Sequence, residues 1–239
     1  MDEIEVLVDF SRKFGGFTDE EFFAYKEGDT KLPLLVAHTD TVAAIPPKKS
    51  EIIYDPKNKV ILRKPMLGWS KWGSEPLGAD DRLGVAMIYL LLQQFPEAPV
   101  LLLNYEEYGG YGARQAAAIL KEELQRYPYF IELDRCGCKH FAHYGHINTQ
   151  FTEFLSAILP NWQFQRGTFT DIAILCPAAK RCGINIAIGY YNQHTAHEFV
   201  ELQHNRRPLK VGSGPRQNLG FWWRYGSKGV DGCSRPSVG

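Results

Sequence analysis

Apolar and polar positions along this chain follow two different periods, and the switches between them mark out its elements. Residues 4–14 place Ile4, Val6, Leu7, Val8 and Phe10 among charges, a helical spacing that stops at Gly15-Gly16. Residues 22–26 are compatible with either a short strand or a turn of helix. Residues 32–37 are a compact apolar run with no polar face, which predicts a strand buried on both sides. Residues 99–105, 129–133 and 183–189 have the same character, and residues 140–144 predict a further strand. Helices are expected over 82–95, where Val85, Ile88, Tyr89 and Leu92 recur at helical spacing, over the Ala-, Leu- and Glu-rich residues 113–125, and over 151–159. Residues 52–54 and 60–62 flank Asp55-Pro56-Lys57-Asn58-Lys59 and predict a hairpin. Residues 167–171 read as a polar turn that 172–175 continue, and a helix is expected from Phe199 onward. The repeated order of buried strand, polar residues and helix predicts a layered α/β fold with a largely parallel sheet.

Composition adds mainly exclusions. The 239 residues carry no formal net charge, so nothing global points to a nucleic acid or a membrane as partner. No apolar run is long enough to span a bilayer. The five cysteines are odd in number and lack a CxxC pair, which argues against a disulfide framework or a zinc ribbon. With an acidic N-terminal stretch that has no signal-peptide core, the expectation is a cytoplasmic protein with reduced thiols. From about Asn205 the chain becomes basic and rich in Gly, Ser and Pro, with Asp231 the lone acid. A partner-binding arm and a poorly structured terminus both fit that composition, and the second is the simpler reading.

The polar residues at the ends of the apolar runs change the picture. They are His38 and Asp40, Asp80 in a Gly-Ala-Asp-Asp turn, Glu106 and Glu107, Asp134, and His194. Each alone is weak; together they leave the expected strand ends furnished with carboxylates and imidazoles and no thiolate. That donor set suits a catalytic rather than a structural zinc site. One carboxylate bridging two ions suits a two-metal site, with Asp80 in the bridging place. His38 and Asp40, two apart in extended backbone, project to one side, so Asp40 can fix the His38 ring. Glu106 and Glu107 are adjacent and point different ways, which allows one to bind metal while the other faces substrate.

Five stretches in order then resemble a known family: residues 36–42 around His38-Thr39-Asp40, residues 77–86 around Asp80-Asp81, residues 105–110 around Glu106-Glu107, residues 132–135 around Asp134, and residues 189–198 around His194. They are similar to the co-catalytic di-zinc exopeptidases, the clan of peptidase T, carboxypeptidase G and the bacterial leucyl-type aminopeptidases. Gly167-Thr168-Phe169-Thr170-Asp171 resembles that clan's Gly-Thr-Ser-Asp turn as well. The resemblance implies a three-layer α/β/α sandwich with a mixed, mostly parallel central sheet. It implies two zinc ions, with cobalt or manganese as alternatives. Asp80 would bridge them, His38 and Asp134 would complete one, and Glu107 and His194 the other. Glu106 would be the general base, Asp40 would support His38, and the peptide bond between Asp80 and Asp81 would be cis.

Only residues 135–166 separate the Asp134 motif from the Gly-Thr turn, too few for the lid domain that peptidase T-like members insert there. The expectation is therefore a single catalytic domain over 1–204 followed by a tail over 205–239. Oxyanion or substrate contacts normally given by a lid would fall to Tyr190, Tyr191 or His197. Trp69 and Trp72 either line a pocket or cover a sheet edge. His140, His143 and His146 recur every third residue, which scatters them over both faces of a strand. The expected activity is amide hydrolysis, by an aminopeptidase or small-peptide exopeptidase acting on a peptide substrate. An N-acyl amino-acid deacylase acting on an acylated amino acid, and a non-catalytic binding domain on the same fold, are the alternatives.

Overall fold

Buried apolar runs become strands and amphipathic runs become helices in a computed structural model that describes residues 2–19, 21–45, 47–64, 75–145, 147 and 149–202. In chain order these are α1 (Glu3–Phe14), β1 (Phe17–Thr18), β2 (Phe23–Lys26), β3 (Leu34–His38), β4 (Ile52–Asp55), β5 (Val60–Arg63), α2 (Ala79–Leu92) and β6 (Val100–Leu103). There follow α3 (Tyr111–Ile119), α4 (Lys121–Leu124), β7 (Tyr129–Arg135), β8 (His140–Gly145), α5 (Thr149–Ile158), β9 (Gln163–Phe164), α6 (Ile172–Ala179), β10 (Cys182–Ala187), β11 (Tyr190–Tyr191) and β12 (Phe199–Glu201).

The main sheet has eight strands in the order β1-β2-β6-β3-β7-β10-β8-β9. Its centre is parallel: β3 pairs with β6 on one side and β7 on the other, and β7 pairs with β10. The pairs β1–β2, β2–β6 and β8–β10 are antiparallel, and β8–β9 is parallel. Alternate residues of each central strand enter separate cores, as the two-residue period of a strand requires. Leu35, Ala37, Leu102, Ile131 and Leu133 pack with Phe10, Ile88 and Phe151 of α1, α2 and α5. Leu34, Val36, Leu101, Leu103 and Phe130 pack with Ala116, Leu124 and Leu175 of α3, α4 and α6. The expected three layers are therefore present. Each fully buried Leu, Ile, Val or Phe contributes about 1.5–3 kcal/mol.

Four local expectations are revised or resolved. Residues 22–26 settle as β2, antiparallel to β6. The expected helix over 113–125 is two helices, because the backbone leaves the helical range at Leu120 (φ −101°, ψ 24°), where Leu120 and Leu124 both turn into the core. The helix expected from Phe199 onward does not begin there: Phe199–Glu201 form strand β12, Leu202 is helical, and the rest of that expectation lies outside the described residues. Strand β12 pairs with β5 through Phe199–Leu62, Val200–Ile61 and Glu201–Val60 and completes a four-stranded sheet β11-β12-β5-β4 on the predicted hairpin. Phe199 and Val200 are aromatic and β-branched, types that favour a strand where a hairpin edge is open to pair with them. Cys136, Cys138 and Cys176 are free thiols, whereas Cys182 is disulfide-bonded, against the expectation of reduced thiols throughout. Trp69, Trp72, His146 and the tail from 205 lie outside the described residues. Among the described residues no helix is long and apolar enough to cross a membrane.

Candidate metal centre

Parallel strands deliver their C-terminal ends to one edge of a sheet, and at that edge the polar residues of this chain meet. Strand β3 ends at His38 and runs on to Asp40, β6 runs out to Glu106 and Glu107, and β7 carries Asp134 near its end. Because β6 and β7 flank β3, with α2 and α3 leaving towards opposite faces, the chain diverges here and opens a crevice beyond the strand ends. Asp80 enters from the start of α2. Gly78 turns the chain there with φ 75°, a left-handed conformation that glycine adopts without strain. The Asp80–Asp81 peptide bond is cis, as the resemblance implied. Gly84 lets α2 lie directly on the Leu133 carbonyl of β7, where any Cβ would collide.

The two imidazoles aim at shared carboxylates. His38 Nε2 lies 3.2 Å from Asp80 Oδ1 and 3.4 Å from Asp134 Oδ1. His194 Nε2 lies 3.1 Å from Asp80 Oδ2 and 2.8 Å from Glu107 Oε1. The two oxygens of Asp80 are thus divided, one facing His38 with Asp134 and the other facing His194 with Glu107. Among the described residues, ligand-capable atoms within mutual reach form three overlapping groups: Asp80, Glu107 and His194; His38, Asp81 and Asp134; His38, Glu106 and Glu107.

A further set of residues holds these side chains in place. Asp40 accepts the backbone N–H of Glu106 through Oδ1 and that of Glu107 through Oδ2, each at 3.1 Å. Its Oδ1 also lies 3.3 Å from His38 Nδ1, and its carbonyl oxygen 3.0 Å from the same nitrogen. A proton on Nδ1 satisfies that carbonyl and leaves the Nε2 lone pair pointing at Asp80 and Asp134. Asp81, fully buried, accepts the backbone N–H groups of His38 and Gly84, each at 3.1 Å. Asn185 of β10 donates to the Asp134 carbonyl (3.2 Å) and to Thr170 Oγ1 (3.0 Å). The Thr170 hydroxyl lies 3.0 Å from Asp134 Oδ2 and 2.6 Å from Glu132 Oε2. Glu198 accepts the backbone N–H groups of Gly78 and Asp80.

Sequence reasoning assigned no role to Asp81, Glu132, Thr170, Asn185 or Glu198. The sequence does carry one signal for Glu132, a carboxylate set inside the apolar run Tyr129-Phe130-Ile131-Glu132-Leu133. Asp81 and Glu198 stood inside motifs whose neighbouring residues drew the attention.

Of the three substrate-contact candidates, Tyr190 is buried at the cluster and its hydroxyl lies 3.4 Å from Asp134 Oδ1. Tyr191 stacks on Phe199 in the smaller sheet. His197 is exposed, and its described hydrogen bonds run through its backbone. His140 accepts from Arg135 Nε and His143 stacks on Phe164, so neither joins the cluster.

The electrostatics are those of a crowded acidic site. Burial would lower the His38 pKa, but Asp134, Asp40 and Asp80 outweigh it and raise that pKa well above the usual value. Hydrogen bonds to Asp80 and Glu107 raise His194 to about 10. Burial, reinforced by Asp134, Asp171 and Glu107 against the lowering effect of His38, raises Glu106 to about 9. Burial raises Asp134 to about 6, with Asp80 adding to it and His38 opposing. Asp80 moves the other way: burial would raise it, but His194 and His38 hold it below the usual carboxylate range. Without cations, the cluster therefore balances its charge by keeping protons. Glu107 Oε1 is buried and has no well-directed hydrogen bond, although His194 Nε2 is close. Imidazole nitrogens and carboxylate oxygens converging on common points, with a buried Glu107 oxygen that faces the His194 imidazole, fit divalent cations of the zinc, cobalt or manganese type.

No protein-family model and no curated protein sequence matches this chain. Solved structures do. The chain is similar to aminopeptidase PepT from Bacillus cereus ATCC 10987 with a TM-score of 0.61 and 13% identity, covering 84% of this chain and 88% of that one. It is similar to a tripeptidase from Staphylococcus aureus subsp. aureus mu50 with a TM-score of 0.52 and 14% identity, covering 77% and 80%. It is also similar to aminopeptidase APDkam598 from the archaeon Desulfurococcus kamchatkensis with a TM-score of 0.52 and 14% identity, covering 85% of each. At these identities the likeness concerns the fold: the chain has the zinc exopeptidase-like α/β architecture of these aminopeptidases, as its five motifs implied.

Proposed function

We propose that this protein is a metal-dependent hydrolase of amide bonds, an aminopeptidase or small-peptide exopeptidase. The observation that carries the reading is the division of the Asp80 carboxylate between His38 with Asp134 and His194 with Glu107. The donor set has no thiolate, which favours a catalytic over a structural site. The three solved neighbours are named as aminopeptidases and a tripeptidase, which makes peptides the first substrate class to try.

In this reading His38 and Asp134 would hold one zinc ion and Glu107 and His194 the other, with Asp80, which faces both pairs, as the shared ligand. Bound there, the ions would lower the pKa of a water and polarise a carbonyl. The chain's own part is to hold and move a proton. Glu106 lies beside Glu107 on the turn that Asp40 pins, and it belongs to none of the Asp80 contacts. It is the base that takes the proton from the attacking water and returns it to the leaving amine. Its carboxyl is raised by burial and by the surrounding carboxylates; bound cations would offset those carboxylates and would bring it down towards the range of a working base. Asp40 keeps the Glu106–Glu107 turn and the His38 ring in register, so base and ligands share one rigid mounting.

The test is a substrate panel with Glu106→Gln alongside the parent. Aminoacyl-amides and short peptides with free amino termini should be hydrolysed, N-acylated amino acids should not, and Glu106→Gln should lose roughly 10²–10⁴-fold in rate while keeping its fold. Cleavage of N-acylated amino acids in preference would replace the aminopeptidase reading by a deacylase. Full activity in Glu106→Gln would remove Glu106 from the base's role.

A further inference from the structure

Glu198 is a buried carboxylate outside the proposed ligand set, and it stands in two places at once. In the chain it closes the loop that carries His194; in space it sits under the turn that carries Asp80. It is 2% exposed. Its Oε2 accepts the Gly78 N–H at 2.6 Å and its Oε1 accepts the Asp80 N–H at 3.1 Å. The Ala79 N–H between them helps to lower the pKa that burial raises at this carboxyl. That turn needs an outside acceptor: Asp80 (φ −82°, ψ 105°) and Asp81 (φ −115°, ψ 30°) are not helical, so the backbone there does not follow the regular ladder. Glu198 thus caps the start of α2 with a side chain more than a hundred residues away.

The other end of the arrangement is the loop. Asn192 and His194 both have positive φ, 56° and 62°. The loop is closed by Thr195 Oγ1 donating to the Asn192 carbonyl, Asn192 Nδ2 donating to the His197 carbonyl, and the Glu198 N–H donating to the Thr195 carbonyl. Such a loop holds its own shape, but the imidazole of His194 is still 45% exposed. Glu198 is what ties the loop to Asp80. His38, by contrast, is fixed by Asp40 and by Asp81 without any part played by Glu198.

We infer that Glu198 is a positioning residue that sets His194 against Asp80, and so governs the cation position formed by Asp80, Glu107 and His194 more than the one beside His38 and Asp134. This inference rests on the two-ion reading above. Its signature is asymmetry: one of two positions weakens while the other holds.

The experiment is a cobalt titration of the chelator-treated protein, followed by absorbance and calorimetry, on the parent, Glu198→Gln and Glu198→Ala, with circular dichroism as the check of folding. The parent should bind about two ions. Glu198→Gln should bind one ion as the parent does and the second about 10–100-fold more weakly. Equal affinities in folded variant and parent, or equal weakening of both positions, would overturn the inference. A variant that loses thermal stability without metal yet binds both ions normally would also overturn it, since Glu198 would then be merely structural. If neither variant folds, hydrogen exchange on the metal-free parent decides: protected amides at Gly78 and Asp80 support the anchor, and rapid exchange there refutes it. A parent that binds no cobalt fails the two-ion reading itself, an outcome distinct from these.

Discussion

Asp40 offers the sharpest structural perturbation, because one side chain supports both a proposed ligand and the proposed base. Its two oxygens each accept one backbone N–H, from Glu106 and Glu107, while Oδ1 also faces His38 Nδ1. Replacement by Ala leaves both amides without their acceptor. An unpaired buried donor costs about 1–3 kcal/mol. Both amides are only part-buried, so water recovers some of that loss and the lower end applies to each, about 2–3 kcal/mol together. With an m-value of about 2–3 kcal/mol/M in urea, the unfolding midpoint should fall by about 1 M. Asp40→Asn keeps one acceptor oxygen and turns an NH₂ against the other amide, so its midpoint should fall between those of the parent and the Ala variant. His38 keeps the backbone carbonyl of residue 40 at Nδ1 but loses the carboxylate beside it, so its metal affinity should fall by about 10-fold, the lower end of the usual effect of such a loss. Urea denaturation by tryptophan fluorescence and a zinc competition assay measure the two effects. An Asp40→Ala protein with the parent's midpoint and the parent's zinc affinity would refute the argument that Asp40 mounts the turn and the ring.

Three further outcomes follow from the same geometry. Metal binding should release protons at neutral pH: His194, raised to about 10, and His38, also raised, hold protons in the metal-free state and give them up to bind a cation. Affinity should therefore rise with pH, and calorimetry in buffers of different ionisation enthalpy should show net release; net uptake would contradict the assignment of the two imidazoles as ligands. Gly84→Ala should destabilise the fold by about 1–3 kcal/mol, because the added methyl meets the Leu133 carbonyl and the Asp81 carboxylate; an unchanged denaturation midpoint would contradict the close approach of α2 to β7. Thr170→Val should weaken zinc binding while leaving the expected β7–β10 pairing intact by circular dichroism, since it removes the hydroxyl 3.0 Å from Asp134 Oδ2; parent-like affinity would show that Asp134 needs no such support.

Much of this arrangement could be read from the chain because its physics is local. A fully apolar run such as residues 34–37 has one plausible fate, a strand covered on both faces, and polar residues directly after it must lie at the strand's end. That reasoning reached His38, Asp40, Glu106, Glu107 and Asp134. Asp80 and His194 depend on turns, and there the order of the motifs did more than any one residue. The rest was hidden because it depends on partners distant in sequence. Phe199 to Glu201 is a strand only because the β4–β5 hairpin leaves an edge for it. Glu198 looks like an ordinary acid beside His197 until the fold brings Gly78 and Asp80 over it. Thr170 resembled part of a polar turn, and only the approach of Asn185 and Asp134 shows what its hydroxyl faces.

The central claim is that Asp80 is shared between two cation positions, and metal content tests it most directly. Protein purified without chelators should contain about two zinc ions per chain by elemental analysis, and Asp80→Ala, folded by circular dichroism, should lose them. A folded parent that takes up no zinc even after incubation with it would contradict the account and leave a binding domain built on a peptidase-like fold.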